Sequence, residues 1–254
     1  MTPLVFAHRG SSAARPEHTF AAYRQAIDEG VDGLECDVRL TRDGHLVCIH
    51  DATIDRTSNG RGRVSRLRLA ELNRHDFTSW HPGGDGEPGV LTLDALLRLA
   101  LDAGRPLRVL VETKHPARFG GTVERRLVET LVRHGLHTTA GARDRGVAVS
   151  VMSFSPLAVR RVRVLAPDIE TVFLFDVATP SLWQGRAPVG SDALGPGITA
   201  LRKRPEIVRR AHDRGSHVFV WTVNEPADVD FVVGLGVDGV ISDRPAAVLA
   251  SLGR

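Results

Sequence analysis

"LECDVRLTRDGHLVCIHD", residues 34–51, sets two acids on a strand, turns at Asp43-Gly44 and returns to a histidine. Side chains alternate along a strand, so Glu35 and Asp37 share a face. Asp-Gly between two alternating runs signals a hairpin, and pairing across it puts His50 roughly opposite Glu35. If the segment instead restarts a parallel strand, His50 still ends at the same rim. Either route gathers the three side chains.

Outward from this stretch, β-rich runs recur at 4–8, 33–39, 46–50, 107–112, 147–152, 169–174, 217–222 and 237–241. Helical periodicity fills most gaps, at 19–29, 93–103, 121–134, 155–165, 203–214 and 226–234. Thr19 is placed to cap the first helix and Gly30 to end it. Eight strands alternating with helices predict an α/β fold with a parallel sheet, and eight is the number that closes a (β/α)8 TIM barrel. A chain of 254 residues suffices for one such domain. On this count 46–50 is the third strand, joined to the second by a short connection. An insertion at about 52–92, rich in Gly, Ser and Arg, follows it. That insertion reads either as a lid or substrate-shaping cap at the catalytic rim, or as a surface excursion.

The formal charge is only +3, and basic residues are scattered along amphipathic segments such as "VERRLVETLVRHG". They read as solvated helix faces, so no nucleic-acid partner is expected. No apolar run is long enough to span a bilayer and none resembles a signal peptide, so no stable membrane association is expected and a cytoplasmic location follows by default. Cys36 and Cys48 read as two free thiols on opposed strand faces. Of the 33 basic residues only Lys114 and Lys203 are lysine, which draws notice to each.

Barrel strands end at the active-site face. The strand ends here hold His8-Arg9, Glu35 and Asp37, His50-Asp51, Glu112 and Lys114, Ser153-Phe154, Trp221 and Asn224, and Asp243-Arg244. A charge facing a barrel interior is costly unless paired or ligated. Three convergent carboxylates, Glu35, Asp37 and Glu112, are relieved most simply by a hard divalent cation, Mg²⁺ or Ca²⁺. A salt-bridge network with Arg9 and Lys114 is the alternative. His8 and His50 facing that cluster suggest a general acid and base pair. Arg9 offers a planar fork for two phosphate oxygens and Lys114 a compact second cation, so the site suits an anion with charge developing on oxygen, phosphate above all.

The segments "AHRGSSAARPEHTFAAY", "GLECDVRLTRDGHLVCIHDATIDRTSNGRG", "LVETKHP", "VMSFSP", "VWTVN" and "VDGVISDRP" together resemble the glycerophosphodiester phosphodiesterases, in that family's order and over nearly the whole chain. The resemblance implies a (β/α)8 barrel that hydrolyses glycerophosphodiesters to sn-glycerol 3-phosphate and an alcohol, with Ca²⁺ or Mg²⁺. It implies metal ligation by Glu35, Asp37 and Glu112, acid–base roles for His8 and His50, and Arg9 and Lys114 on the phosphate. Phe154 and Trp221 would be apolar walls for the glycerol or alcohol part, or else aromatics closing the barrel end. One departure stands out: His18 occupies the place of an asparagine in the family's usual P-E-N-T, which bears on how Glu17 is held. Two rivals are a phospholipase D-like relative acting on lysophospholipids or sphingolipids, with Phe77 and Trp80 as its apolar rim, and a non-catalytic binder of phosphorylated polyols, which would lack a histidine or a ligand.

Overall fold

The computed structural model describes residues 2–86, 88–117 and 120–254. Among them nine strands form one sheet: β1 (Leu4–His8), β2 (Gly33–Leu40), β3 (Leu46–Cys48), β4 (Leu107–Thr113), β5 (Val147–Ser153), β6 (Glu170–Phe175), β7 (Ala193–Pro196), β8 (His217–Val220) and β9 (Gly239–Ser242). Eight of these run parallel in the order β1-β9-β8-β7-β6-β5-β4-β2, and β2 returns to β1 to close the ring. Helices such as Phe20–Asp28, Thr122–His134 and Pro156–Leu165 pack between successive strands. Thr19 caps the first by accepting from the Ala22 amide, as expected. The TIM barrel is therefore real.

Its membership differs from the expected one. The 46–50 run is not a barrel strand. β3 runs antiparallel to β2, with Val38 opposite Cys48. It occupies the edge of β2 that β1 leaves free, for β1 pairs only with Gly33–Glu35 while β3 pairs with Val38–Leu40. The eighth barrel strand is β7, Ala193–Pro196, whose glycine, proline and four-residue length read as a turn. It is held by neighbours on both sides, Val172 opposite Ala193 and Ala193 opposite His217.

The hairpin also corrects two facing assignments. Cys48 lies opposite Val38 and so shares the face of Cys36; both are buried free thiols in one outer core. The Ile49 amide donates to the Asp37 carbonyl at 3.0 Å, so His50 leaves the strand near that rung and not opposite Glu35.

Alternation along the strands sorts side chains into two cores. Val5, Leu34, Cys36, Val38, Val109 and Val111 point outward under the helices. Phe6, Leu110, Met152, Leu174 and Phe219 fill the barrel. Phe6 and Phe219 meet edge to face at 5.8 Å. Gly239 makes that possible, since a Cβ there would lie 2.5 Å from Phe219 Cδ1 and 2.9 Å from Phe6. Phe219→Ala is expected to cost about 3–5 kcal/mol, read as a lower denaturant midpoint; an unchanged midpoint would mean the interior tolerates the void.

The 52–92 insertion builds a third, smaller core. Ile54, Val64, Leu72 and Phe77 pack on Val47 and Ile49, so the segment is anchored on the hairpin. Among the described residues no helix is long and apolar enough to cross a membrane.

Candidate active site

Strand register assembles the site. His8 lies beside Glu35 across β1 and β2, and Asp37 beside Glu112 across β2 and β4. All four follow the inward alternation at the C-terminal rim. Glu35, Asp37 and Glu112 are buried, and one ligand oxygen or more from each lies within 4.8 Å of the others.

Burial pushes the Glu35 carboxyl well above its ordinary range, and the Asp37 charge adds to the effect. Burial, then Asp37, pushes Glu112 up to about 8. Burial opposes the charge of Asp37 as well, but the His18 hydrogen bond and the nearby Lys114 and Arg9 charges outweigh it and hold Asp37 well below its ordinary range. Protein groups thus stabilise one anion of the three. The donor set is all carboxylate oxygen, converging and short of positive charge, which fits a hard divalent cation.

The alternative salt-bridge network is present too. Lys114 Nζ lies 2.9 Å from Asp37 Oδ1 and 2.7 Å from Glu112 Oε1. Arg9 Nε lies 3.0 Å from Asp37 Oδ2, and Arg9 Nη1 donates to Glu17 Oε1 at 3.0 Å. Arg9 takes up a left-handed backbone, φ 60°, at the strand end, a conformation that is uncommon for a side-chain-bearing residue. Both cations expected on phosphate are therefore already seated among carboxylates.

Each histidine is backed by a carboxylate. His8 Nδ1 lies 2.6 Å from Asp243 Oδ1, and Asn224 Nδ2 and Ser12 Oγ donate to the same carboxylate at 2.7 and 3.0 Å. Burial opposes ionisation of Asp243, yet the His8 and Asn224 bonds hold it at about 2. His50 Nδ1 lies 2.8 Å from Asp51 Oδ1. Such pairing orients the ring and leaves Nε2 as the free nitrogen. His8 Nε2 is 3.9 Å from Glu35 Oε2. Both rings line a cavity of about 220 Å³ together with Glu35, Glu112, Lys114 and Arg9. Phe154 and Trp221 form its apolar side, edge to face at 5.4 Å, with Trp221 Nε1 donating to the Gly195 carbonyl. Of the nine residues named from the sequence eight line this cavity, while Asp37 is buried in the carboxylate cluster behind it.

The partners of several supporting groups escaped the sequence reading, as did Arg56 and Asp176 altogether. His18 is buried with Nε2 2.9 Å from Asp37 and Nδ1 2.8 Å from the Tyr23 hydroxyl, which donates to the Glu35 carbonyl. The departure from P-E-N-T thus falls on the group that props Asp37. Glu17 is held by Arg9 and by two bonds of 2.8 Å from Arg56, which also grips Asp51. Asp243 and Asn224 stood among the strand ends, yet nothing in sequence paired them with His8. Asp176, just past β6, lines the cavity and could have been found by the same strand-end rule.

Arg56 ties the insertion to this rim. Burial opposes ionisation of Glu17, but the Arg56 hydrogen bond and the Arg9 charge hold it at about 2; the Arg56 bond also holds Asp51 at about 2. Both carboxyls are depressed, so their contribution is full above about pH 4 and is lost as the pH falls through about 2. Arg56→Ala should therefore move the acid transition, followed by circular dichroism, to higher pH. An unmoved transition would show the network to be energetically idle.

Residues 8–247 match the Glycerophosphoryl diester phosphodiesterase family. The chain belongs to that family and is an enzyme of its class. A Mycobacterium tuberculosis protein described as a probable glycerophosphodiester phosphodiesterase is 48% identical over 255 residues, covering 98% of this chain and 92% of that one. A glycerophosphodiester phosphodiesterase of Caldanaerobacter subterraneus is 31% identical, covering 98% and 97%. Among solved structures, an Oleispira antarctica phosphodiesterase in complex with the product sn-glycerol-3-phosphate superposes with a TM-score of 0.87 at 25% identity, covering 100% and 98%.

Proposed function

We propose that this phosphodiesterase hydrolyses glycerophosphodiesters to sn-glycerol 3-phosphate and an alcohol, with a divalent cation on Glu35, Asp37 and Glu112 and with His8 and His50 moving the protons. One observation carries the reading: two imidazoles, each oriented by its own carboxylate, face a single cavity whose wall includes Glu35 and Glu112 of the three-carboxylate cluster. The product held by the Oleispira relative supports the same substrate class.

Mg²⁺ or Ca²⁺, when bound, supplies charge neutralisation and polarisation of a phosphate oxygen. The protein's own groups do the rest. Asp243 and Asp51 each accept from Nδ1 and stabilise the imidazolium that forms when Nε2 takes up a proton. One ring then serves as base towards the nucleophile and the other as acid towards the leaving alkoxide. Lys114 retains donor capacity beyond its two carboxylate partners for a phosphate oxygen, and Arg9 stands beside it. Phe154 and Trp221 exclude water from the carbon skeleton of the glycerol.

The phospholipase D-like rival loses part of its support, because Phe77 lies in the small core of the insertion and only Trp80 is exposed there. The deciding experiment assays a panel of glycerophosphodiesters beside bis(p-nitrophenyl) phosphate and lysophosphatidylcholine, with and without added cation. Release of sn-glycerol 3-phosphate from several head groups is expected. Choline release from the lysolipid alone would overturn the proposal.

A further inference from the structure

Beyond the catalytic cavity lies a larger one of about 440 Å³, between the insertion and the loop that follows β4. Arg39, Arg63, Arg66 and Lys114 line it, with Thr41 and Ser65, and no carboxylate does so among the described residues. The two cavities are continuous in their lining. Lys114 belongs to both, and a third cavity of about 280 Å³ shares Arg39 and Lys114 with the first and His50, Glu112, Lys114 and Phe154 with the catalytic one.

The four cations are not equivalent. Lys114 is matched by Asp37 and Glu112. Arg39 donates through Nε to the His50 carbonyl at 2.9 Å and lies in the field of Asp37, Glu112 and Asp51. The guanidinium groups of Arg63 and Arg66, in contrast, have no carboxylate and no hydrogen-bond partner among the described residues, their hydrogen bonds being made by the backbone. They flank buried Val64, which packs with Ile54, Leu72 and Phe77, and the Val64 amide donates to the Ala52 carbonyl at 3.1 Å. A turn fixed by that packing therefore presents two guanidinium groups without a carboxylate partner to a cavity that shares Lys114 with the catalytic one. Guanidinium groups without a counter-ion, held in a concave site, are suited to binding phosphate or carboxylate.

We infer that this cavity is the subsite for the departing alcohol, and that Arg63 and Arg66 select alcohols bearing their own negative charge, a phosphomonoester above all. The inference rests on the hydrolytic reading of the neighbouring site. Glycerol occupies the aromatic-walled cavity, the scissile phosphate sits between the histidines, and the head group extends past His50 along Arg39 toward the two free arginines.

The test compares glycerophosphoinositol 4-phosphate with glycerophosphoinositol, substrates that differ by one phosphate, in the full chain with Mg²⁺ present. The wild type should favour the phosphorylated substrate in kcat/KM by about tenfold, the scale of one partly exposed charge-assisted contact, and the preference should shrink with added salt. In R63Q/R66Q the ratio should fall to about one, and in R63E/R66E below it. The ratio is unaffected by any general loss of activity, and circular dichroism checks each fold. Equal kcat/KM for the two substrates in the wild type, or a preference that survives R63E/R66E, would overturn the subsite alone. Failure to hydrolyse any glycerophosphodiester would overturn the proposed function and this inference with it.

Discussion

His50→Ala is expected to lower turnover of a glycerophosphodiester by roughly 10²–10⁴-fold, the span that one positioned general acid or base contributes. The ring is held through Nδ1 by Asp51 and is more than a third exposed, so its removal leaves neither a void nor an orphaned buried charge. The thermal midpoint should therefore stay close to wild type. KM should move much less than kcat, because the ring acts on the proton in flight and the charge contacts stay in place. Near-normal turnover in that variant would strike His50 from the mechanism.

Thorough chelation is the second large effect. EDTA is expected to abolish hydrolysis and added Mg²⁺ or Ca²⁺ to restore it. Two of the three buried carboxyls are pushed upward, Glu112 to about 8, while only Asp37 is held as an anion by its neighbours. Lys114 and Arg9 are too few to stabilise three anions at once. A bound cation also stabilises the folded state by mass action, about 2.7 kcal/mol at a hundred times its Kd. The thermal midpoint should accordingly rise with cation in the wild type and rise less in Asp37→Asn. An enzyme fully active after chelation, with no cation-dependent midpoint, would contradict the metal site.

The barrel was legible because its outward positions carry long β-branched and leucine runs, and because glycines and Thr19 punctuate the helices. The count of eight came out right for a partly wrong reason. β7 is too short and too rich in glycine and proline to announce itself, and is a strand only because β6 and β8 hold it. β3 looked like a barrel strand because antiparallel and parallel strands share the same alternation, and only the Asp43-Gly44 turn distinguished them. At the site, the carboxylates, histidines and cations were readable from their places at strand ends. Their partners were not, since Asp243 with His8 and His18 with Asp37 are long-range pairs that only the closed ring brings together. The same limit left Arg9 and Lys114 open between phosphate and a salt-bridge network: sequence shows a cation near an anion but not which anion it already holds.

The two histidines stand on different foundations. His8 belongs to the closed wall, whereas His50 follows a hairpin outside it, steadied by a small core separate from the two cores of the barrel. On the proposed placement of the substrate, grip on the glycerol half is thereby carried by different elements from those on the far side of the bond. On the same proposal, exchanging the appendage would change which alcohols depart while leaving the eight barrel strands unaltered.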